Sequence, residues 1–192
     1  MLTNIDTIES LEVYKLLANI VVPRPIAWIS TKSAKGVLNI APFSYFTPLS
    51  SSPATVIVSI GHKEDGSAKD TLKNLRENKK CSIVIAAPND VKDVEISAKP
   101  LDYNESEFDK FNIETKEILT DYPKVPKSAN IVLFGDYLKE VELEGSKTIP
   151  VILEIKSIYV DDMLYKDGKV KIDPLARVGA GYFALGKELK KS

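Results

Sequence analysis

Cysteine and histidine are almost missing from this chain, with one of each, Cys81 and His62, among 192 residues. A lone cysteine excludes an internal disulfide and any cysteine-cluster metal site, and it suits a reducing compartment. A lone histidine argues against a multi-histidine metal centre. An excess of charge of either sign is missing too: 26 Lys and Arg against 27 Asp and Glu leave a formal charge of −1. No long-range field therefore favours nucleic acid or an anionic membrane. No stretch approaches the roughly 18 unbroken apolar residues of a membrane span, and the N-terminus has no basic region followed by an apolar one. Internal repeats and low-complexity segments are absent as well. These absences lead us to expect a cytoplasmic protein that binds neither nucleic acid nor membrane. One domain over residues 1–192 is long enough to bury a core without disulfide or metal.

What the chain does contain is an apolar, strand-forming run broken by proline. Within Leu38-Asn39-Ile40-Ala41-Pro42-Phe43-Ser44-Tyr45-Phe46-Thr47-Pro48, each proline removes a ladder donor and pins φ near −65°, so this is no ordinary central strand. Two readings are open. The chain bulges and leaves the N–H groups of Phe43, Ser44 and Tyr45 free to bond a ligand, or it is an edge strand that ends at proline.

In chain order, residues 1–19 read as a short helix or an extended arm. Pro23 and Pro25 delay strand pairing until Ile26, and a polar connector ending at Gly36 makes 26–31 and 37–41 a hairpin. Residues 54–60 form the strand richest in β-branched side chains, ahead of a polar loop with two glycines. A helix of about eight to ten residues follows Lys69, with Asp70 or Ser67 as its cap. A short strand at 82–87 comes next, then a helix opened by Pro88-Asn89-Asp90. Residues 99–127 are a polar insert with a capped short helix at 104–111 and a proline-rich crossing. Three strand candidates, 130–134, 137–143 and 149–160, precede a turn at 166–169, a tail of glycines and aromatics, and a basic end. Strands in clusters with few βαβ units make the fold class α+β and predominantly β, a Greek-key antiparallel barrel with inserted short helices.

Residues 39–71 carry the chemistry when taken as one site. Helix N-terminal N–H groups, a hydroxyl and a cation converge at Lys69-Asp70-Thr71, which suits a phosphate, although a solvated helix cap has the same composition. Phe43 and Trp28 offer faces for a planar ring, and strand-edge amides offer bonds to its polar rim. Trp28 equally suits a core position. Cys81, with no histidine near it in sequence, reads as a packing residue rather than a nucleophile.

The motifs Arg24-Pro25-Ile26-Ala27-Trp28-Ile29-Ser30-Thr31, Gly36-x-x-Asn39-x-Ala41-Pro42-Phe43-Ser44-x-Phe46, Ser51-Ser52-Pro53 and Lys69-Asp70-Thr71-Leu72-x-Asn74-Leu75 resemble the flavin reductase-like FMN-binding split-barrel family. That family includes flavoredoxins and the reductase components of two-component monooxygenases. The resemblance, over about residues 20–185, implies a homodimer of Greek-key split β-barrels with FMN near the dimer interface. It places the ring against Ala41, Pro42, Phe43, Ser44 and Ser50, beside a strand carrying Ser59, Ile60 and Gly61. The phosphate falls near Lys69, Asp70 and Thr71, Asn39 belongs to the same motif, and Arg177 approaches from the C-terminal run. The implied electron donor is NADH or NADPH, and the acceptor a small molecule or a protein. A flavoredoxin-like electron carrier that does not react with the nicotinamide is the alternative. No catalytic acid or base and no metal ligand is expected, because the electron chemistry is the flavin's own. Positive charge beside the ring comes from Arg24 or Arg177, unless these form ion pairs; His62 either touches the phosphate or nicotinamide donor or is solvated. If so, Phe43 and Lys69 must meet in one cleft.

Overall fold

Pro42 and Pro48 both end up where a missing ladder donor does least damage, in the two edge strands of the main sheet. A computed structural model describes residues 2–186. After a single 3-10 turn, the chain forms α1 (Ser10–Ile20), β1 (Arg24–Pro25), β2 (Ala27–Lys32), β3 (Leu38–Phe43), β4 (Phe46–Ser51) and β5 (Ala54–Gly61). It continues through α2 (Asp70–Asn78), β6 (Lys80–Ile85), α3 (Val91–Ile96), α4 (Glu107–Lys110), β7 (Thr115–Lys116) and β8 (Val125–Pro126). The last elements are β9 (Ile131–Glu140), β10 (Thr148–Val160), β11 (Tyr165–Lys166), β12 (Lys169–Val170), β13 (Ala176–Val178) and β14 (Gly181–Phe183). No described helix is long and apolar enough to cross a membrane. The basic end from Lys187 onward lies outside the described residues.

Seven strands form an antiparallel sheet in the order β3-β2-β6-β9-β10-β5-β4. Its outermost members, β3 and β4, are consecutive in the chain and joined only by Ser44 and Tyr45. Since a chain advances at most ~3.6 Å per residue, two edges linked by two residues must curl toward each other, which makes the sheet an incomplete barrel. The Tyr45 carbonyl in this seam accepts the Ser59 N–H of β5 at 2.8 Å. The architecture is the expected one, mostly antiparallel sheet with short helices set between strands.

Alternation along the strands buries the sheet on both faces. On β2, Ala27 and Ile29 join the cluster of Phe43, Val58, Leu72 and Leu75, whereas Trp28 joins Ile40, Val84, Val94 and Phe108 on the opposite face. The first cluster is closed by α2. The second is roofed by α3, α4 and the insert, whose proline-rich crossing is fastened by two sheet serines. Ser30 Oγ donates to Lys124 O and Ser82 Oγ to Pro123 O, both at 2.6 Å.

Four local expectations change. Pairing begins before Ile26, because Arg24 and Pro25 form a two-residue ladder with Arg177 and Ala176 in a separate small sheet that does not compete with the main one. The candidates 130–134 and 137–143 are a single strand, β9, in which Gly135 faces the point where β10 inserts Lys156 as an extra residue. Neither Asp70 nor Ser67 caps α2: Lys69 holds the N-cap position without a side-chain bond, and the Asp70 carboxylate pairs with Lys63 at 2.6 Å. The helix expected over 104–111 shrinks to α4, and the Ser106 side chain does not cap it.

Candidate functional site

The loop between β5 and α2 folds back on itself. Lys63 N–H reaches Ser67 O at 2.8 Å, Gly66 N–H reaches Lys63 O at 3.0 Å, and His62 and Ala68 form an isolated bridge. This closure delivers Lys69 to the N-terminus of α2, exposed and, among the described residues, in no ion pair. With no side chain capping the helix, the first-turn N–H groups and the helix dipole remain available to an anion. The Lys69 ammonium stands 5.9 Å from the centroid of the Phe43 ring, so the proline-broken strand and the cationic loop do meet.

They share a cleft of about 490 Å³, inside the usual small-molecule range of ~300–1,000 Å³. Asn39 and Ala41 of β3 line it opposite Lys69, Asp70 and Thr71, and the 62–65 loop, residues 97–101 and Glu107 complete the wall.

Beneath this cleft lies a satisfied polar network. Asn39 Nδ2 donates to Glu107 Oε1 at 2.9 Å and Oε2 at 3.1 Å, and Glu107 Oε2 also accepts the Ile40 N–H at 3.0 Å. Asn39 Oδ1 accepts the hydroxyls of Thr31 at 3.2 Å and Thr71 at 2.9 Å. Asn74 Nδ2 donates to Thr31 Oγ1, and Tyr103 OH donates to Asn74 Oδ1. Glu107 is 4 % exposed, and burial pushes its carboxyl above the ordinary carboxylate value despite the bonds it accepts.

A second cleft, of about 430 Å³, opens beside the seam between β3 and β4, lined by Arg24, Ser44, Tyr45 and Ser59 with apolar residues that include Leu17 and Phe46. Arg24 is 5 % exposed. Its guanidinium donates to the carbonyls of Ala18 and of Gly179, the latter at 3.1 Å, and to Ser44 Oγ at 3.4 Å. The Tyr45 ring stacks on Tyr14 with centroids 6.0 Å apart, and its buried hydroxyl has no protein partner. Burial, and then the neighbouring Tyr14, push its pKa up.

The residues expected at one site are thus distributed. Asn39, Ala41, Lys69, Asp70 and Thr71 line the first cleft, with Phe43 under Lys69; Ser44 and Ser59 line the second. Pro42 lies in the ladder opposite Trp28. Ser50 is exposed on the outer strand, and Gly61 ends β5 opposite Thr148. Ile60 is a core side chain, leaving only its backbone available. Arg177 packs 4.3 Å from the Tyr182 ring centroid, beside Arg24 in the small sheet. Of the two readings of Trp28 the core one holds: it is fully buried, and Nε1 donates to Ser97 Oγ at 2.9 Å. Cys81 is likewise buried. His62 Nδ1 lies 2.8 Å from Lys147 O. Nothing in the residue spacing marks Glu107 or the 97–101 loop, which reach the cleft from a distant part of the chain.

A family model described as flavin reductase like domain matches residues 19–176. An uncharacterised protein of Halalkalibacterium halodurans is 30% identical over 190 residues, covering 93% of this chain and 87% of the relative. Among solved structures, nitrilotriacetate monooxygenase component B from Bacillus cereus superposes with a TM-score of 0.92 at 28% identity, covering all of this chain and 98% of the other. A protein of Shewanella frigidimarina described as a candidate flavin reductase with split barrel domain shares the fold with a TM-score of 0.82 at 20% identity, over 97% of this chain and 94% of the other.

Proposed function

The chain belongs to the flavin reductase like domain family, and on that footing we propose that it is an FMN-binding oxidoreductase, a cytoplasmic homodimer that takes electrons from NADH or NADPH and delivers them to a small-molecule or protein acceptor. The meeting of Lys69 with Phe43 over a cleft shared by β3 and the N-terminus of α2 carries this reading. Bound FMN supplies the two-electron chemistry, and the protein supplies binding, orientation and electrostatics. Lys69 and the first-turn N–H groups of α2 hold the phosphate. The outer edge of β3 around Ala41 would offer backbone groups to the polar rim of the ring, and Phe43, under Lys69, would add apolar surface.

Arg24 and Ser44 line the second cleft, at the seam where β3 passes into β4, so the buried Arg24 charge stands apart from the cleft proposed for the flavin. The homodimer is supported by exposed apolar side chains, Leu11, Tyr14, Leu17, Ile20 and Val21, along and just after α1. A second reading keeps FMN but omits direct reaction with the nicotinamide. The sequence favours it in one respect, since it has no glycine-rich dinucleotide turn.

Anaerobic mixing of the FMN-loaded protein with NADH or NADPH separates the two. Rapid bleaching near ~450 nm, where bound flavins absorb, is the outcome expected of the reductase. Retained flavin that neither nucleotide bleaches overturns it in favour of the carrier.

A further inference from the structure

Glu107 is out of place for a purely structural carboxylate. It is 4 % exposed, lines the wall of the cleft that holds Lys69, and among the described residues has no cation within ion-pair distance. Its partners are neutral, the Asn39 amide and the Ile40 N–H. The charged groups around it are Asp70 at the start of α2, whose field adds to the burial, and Lys69 beside it. Lys63 on the loop is already paired with Asp70. Across the cleft stand Lys99 and, on the same loop as Lys63, His62, Glu64 and Asp65.

The donor pattern fixes every hydrogen in the chain of bonds. A carboxylate only accepts, so the Asn39 NH₂ must face Glu107, and Oδ1 must face the two threonines, which have to donate to it. The Thr71 hydroxyl proton is thereby committed inward, away from any ligand at the helix N-terminus. A protonated Glu107 reverses this. Its O–H can donate to Asn39 Oδ1 once the amide turns over, the NH₂ then faces the threonine oxygens, and the Thr71 proton is released.

Resting on the reading that a ligand phosphate binds at Lys69 and α2, we propose that Glu107 is the positioning residue of the anion end of this cleft, and that a phosphate-bearing ligand binds there with uptake of a proton by Glu107. The uptake removes a negative charge from the wall and turns the Asn39–Thr71 pair toward the anion. A ligand without phosphate gains from neither change.

The test is titration of FMN and of riboflavin into wild-type protein and Glu107→Gln at a series of pH values. Glutamine mimics the protonated state. The variant should bind FMN about three- to tenfold more tightly at about pH 8, the scale of one like charge removed at short range in a partly solvated cleft, and the two proteins should converge as the pH falls. Riboflavin should show no such divergence. If Glu107→Gln does not fold, calorimetry on the wild type in two buffers of different ionisation enthalpy reads the proton directly. Net uptake at about pH 7 is expected, where free phosphate monoesters, with a second pKa of about 6, contribute at most a small release.

Parallel FMN profiles for the two proteins, a variant weaker at every pH, or net proton release overturn the proposal while leaving the flavin reading intact. A wild-type chain that binds neither flavin overturns that reading, and the proposal with it.

Discussion

Replacing Lys69 with alanine should separate phosphate recognition from ring recognition. Lys69 is exposed, holds the N-cap position of α2 and forms no ion pair among the described residues, so the substitution orphans no buried partner. Among the described residues its ammonium lies over one aromatic ring, Phe43, at 5.9 Å, a contact worth about 0.5 kcal/mol at an exposed site. A hydrogen bond to a charged group contributes roughly 1.5–3 kcal/mol when well shielded. Solvent at this helix end reduces that to about 1–2 kcal/mol, or roughly a five- to thirtyfold loss in FMN affinity. Riboflavin has no phosphate and should lose less than about twofold, the residue of the ring contact. Fluorescence titration of both flavins into wild type and Lys69→Ala, at low salt and at about 0.5 M salt, measures all of this. The wild-type advantage for FMN should shrink with salt. Equal losses for the two flavins would refute the assignment of the phosphate to this loop.

Trp28→Phe should cost about 1–3 kcal/mol in denaturant unfolding, through lost volume and the lost bond to Ser97, and leave FMN affinity unchanged; weaker FMN binding at unchanged stability would contradict its core role. Burial pushes the Cys81 thiol up to about 12, so the folded protein should resist thiol reagents at about pH 8 and label only on unfolding. The same group favours the folded state below its ordinary value of 9.0. As pH rises beyond that, the unfolded chain ionises first, and stability should fall progressively toward pH about 12; a flat unfolding profile across that window would contradict it. Gly179 has φ +55°, and a Cβ there would come within 2.5 Å of Asn19 Oδ1. Gly179→Ala should therefore lower stability by about 1–2 kcal/mol, read as a shift in the thermal midpoint.

The parts of this structure governed by local chemistry were legible in the chain. Pro42 and Pro48 excluded a central strand, and both lie in edge strands; neither strand ends at its proline, since β3 runs on to Phe43 and β4 to Ser51, with a bulge just after Pro48. The β-branched run at 54–60 is β5, and the turn at 166–169 joins β11 to β12. Gly135 and Asp136 fell between the strand candidates 130–134 and 137–143, whereas both lie inside β9, where Gly135 faces the extra residue Lys156 of β10. The site was half legible. Lys69 and Phe43 meet because α2, which Lys69 precedes, packs against β3, a contact between segments that the sequence reading had already taken as one site.

Ser44 and Ser59 turned out to line a different cleft, because the seam residues from Ser44 to Thr47 all face the second cleft, whereas β3 gives Asn39 and Ala41 to the first. Glu107 was invisible. Its partner Asn39 is 68 residues away, and no periodicity connects a four-residue helix in a polar insert to the face of an edge strand. Arg24 was read as a cation beside the flavin or as a member of an ion pair, yet its three protein partners are two backbone carbonyls and a hydroxyl. Long-range hydrogen bonding of this kind leaves no mark on local sequence.

The central claim is that one cleft joins the broken strand to the cationic loop and takes a flavin nucleotide. Titrating the purified protein into FMN, and following flavin fluorescence, tests it most directly. Quenching that saturates at one FMN per chain, and is reversed by competing excess unlabelled ligand of the same phosphate class, is the predicted result; fluorescence that stays at the free-FMN level throughout would contradict it.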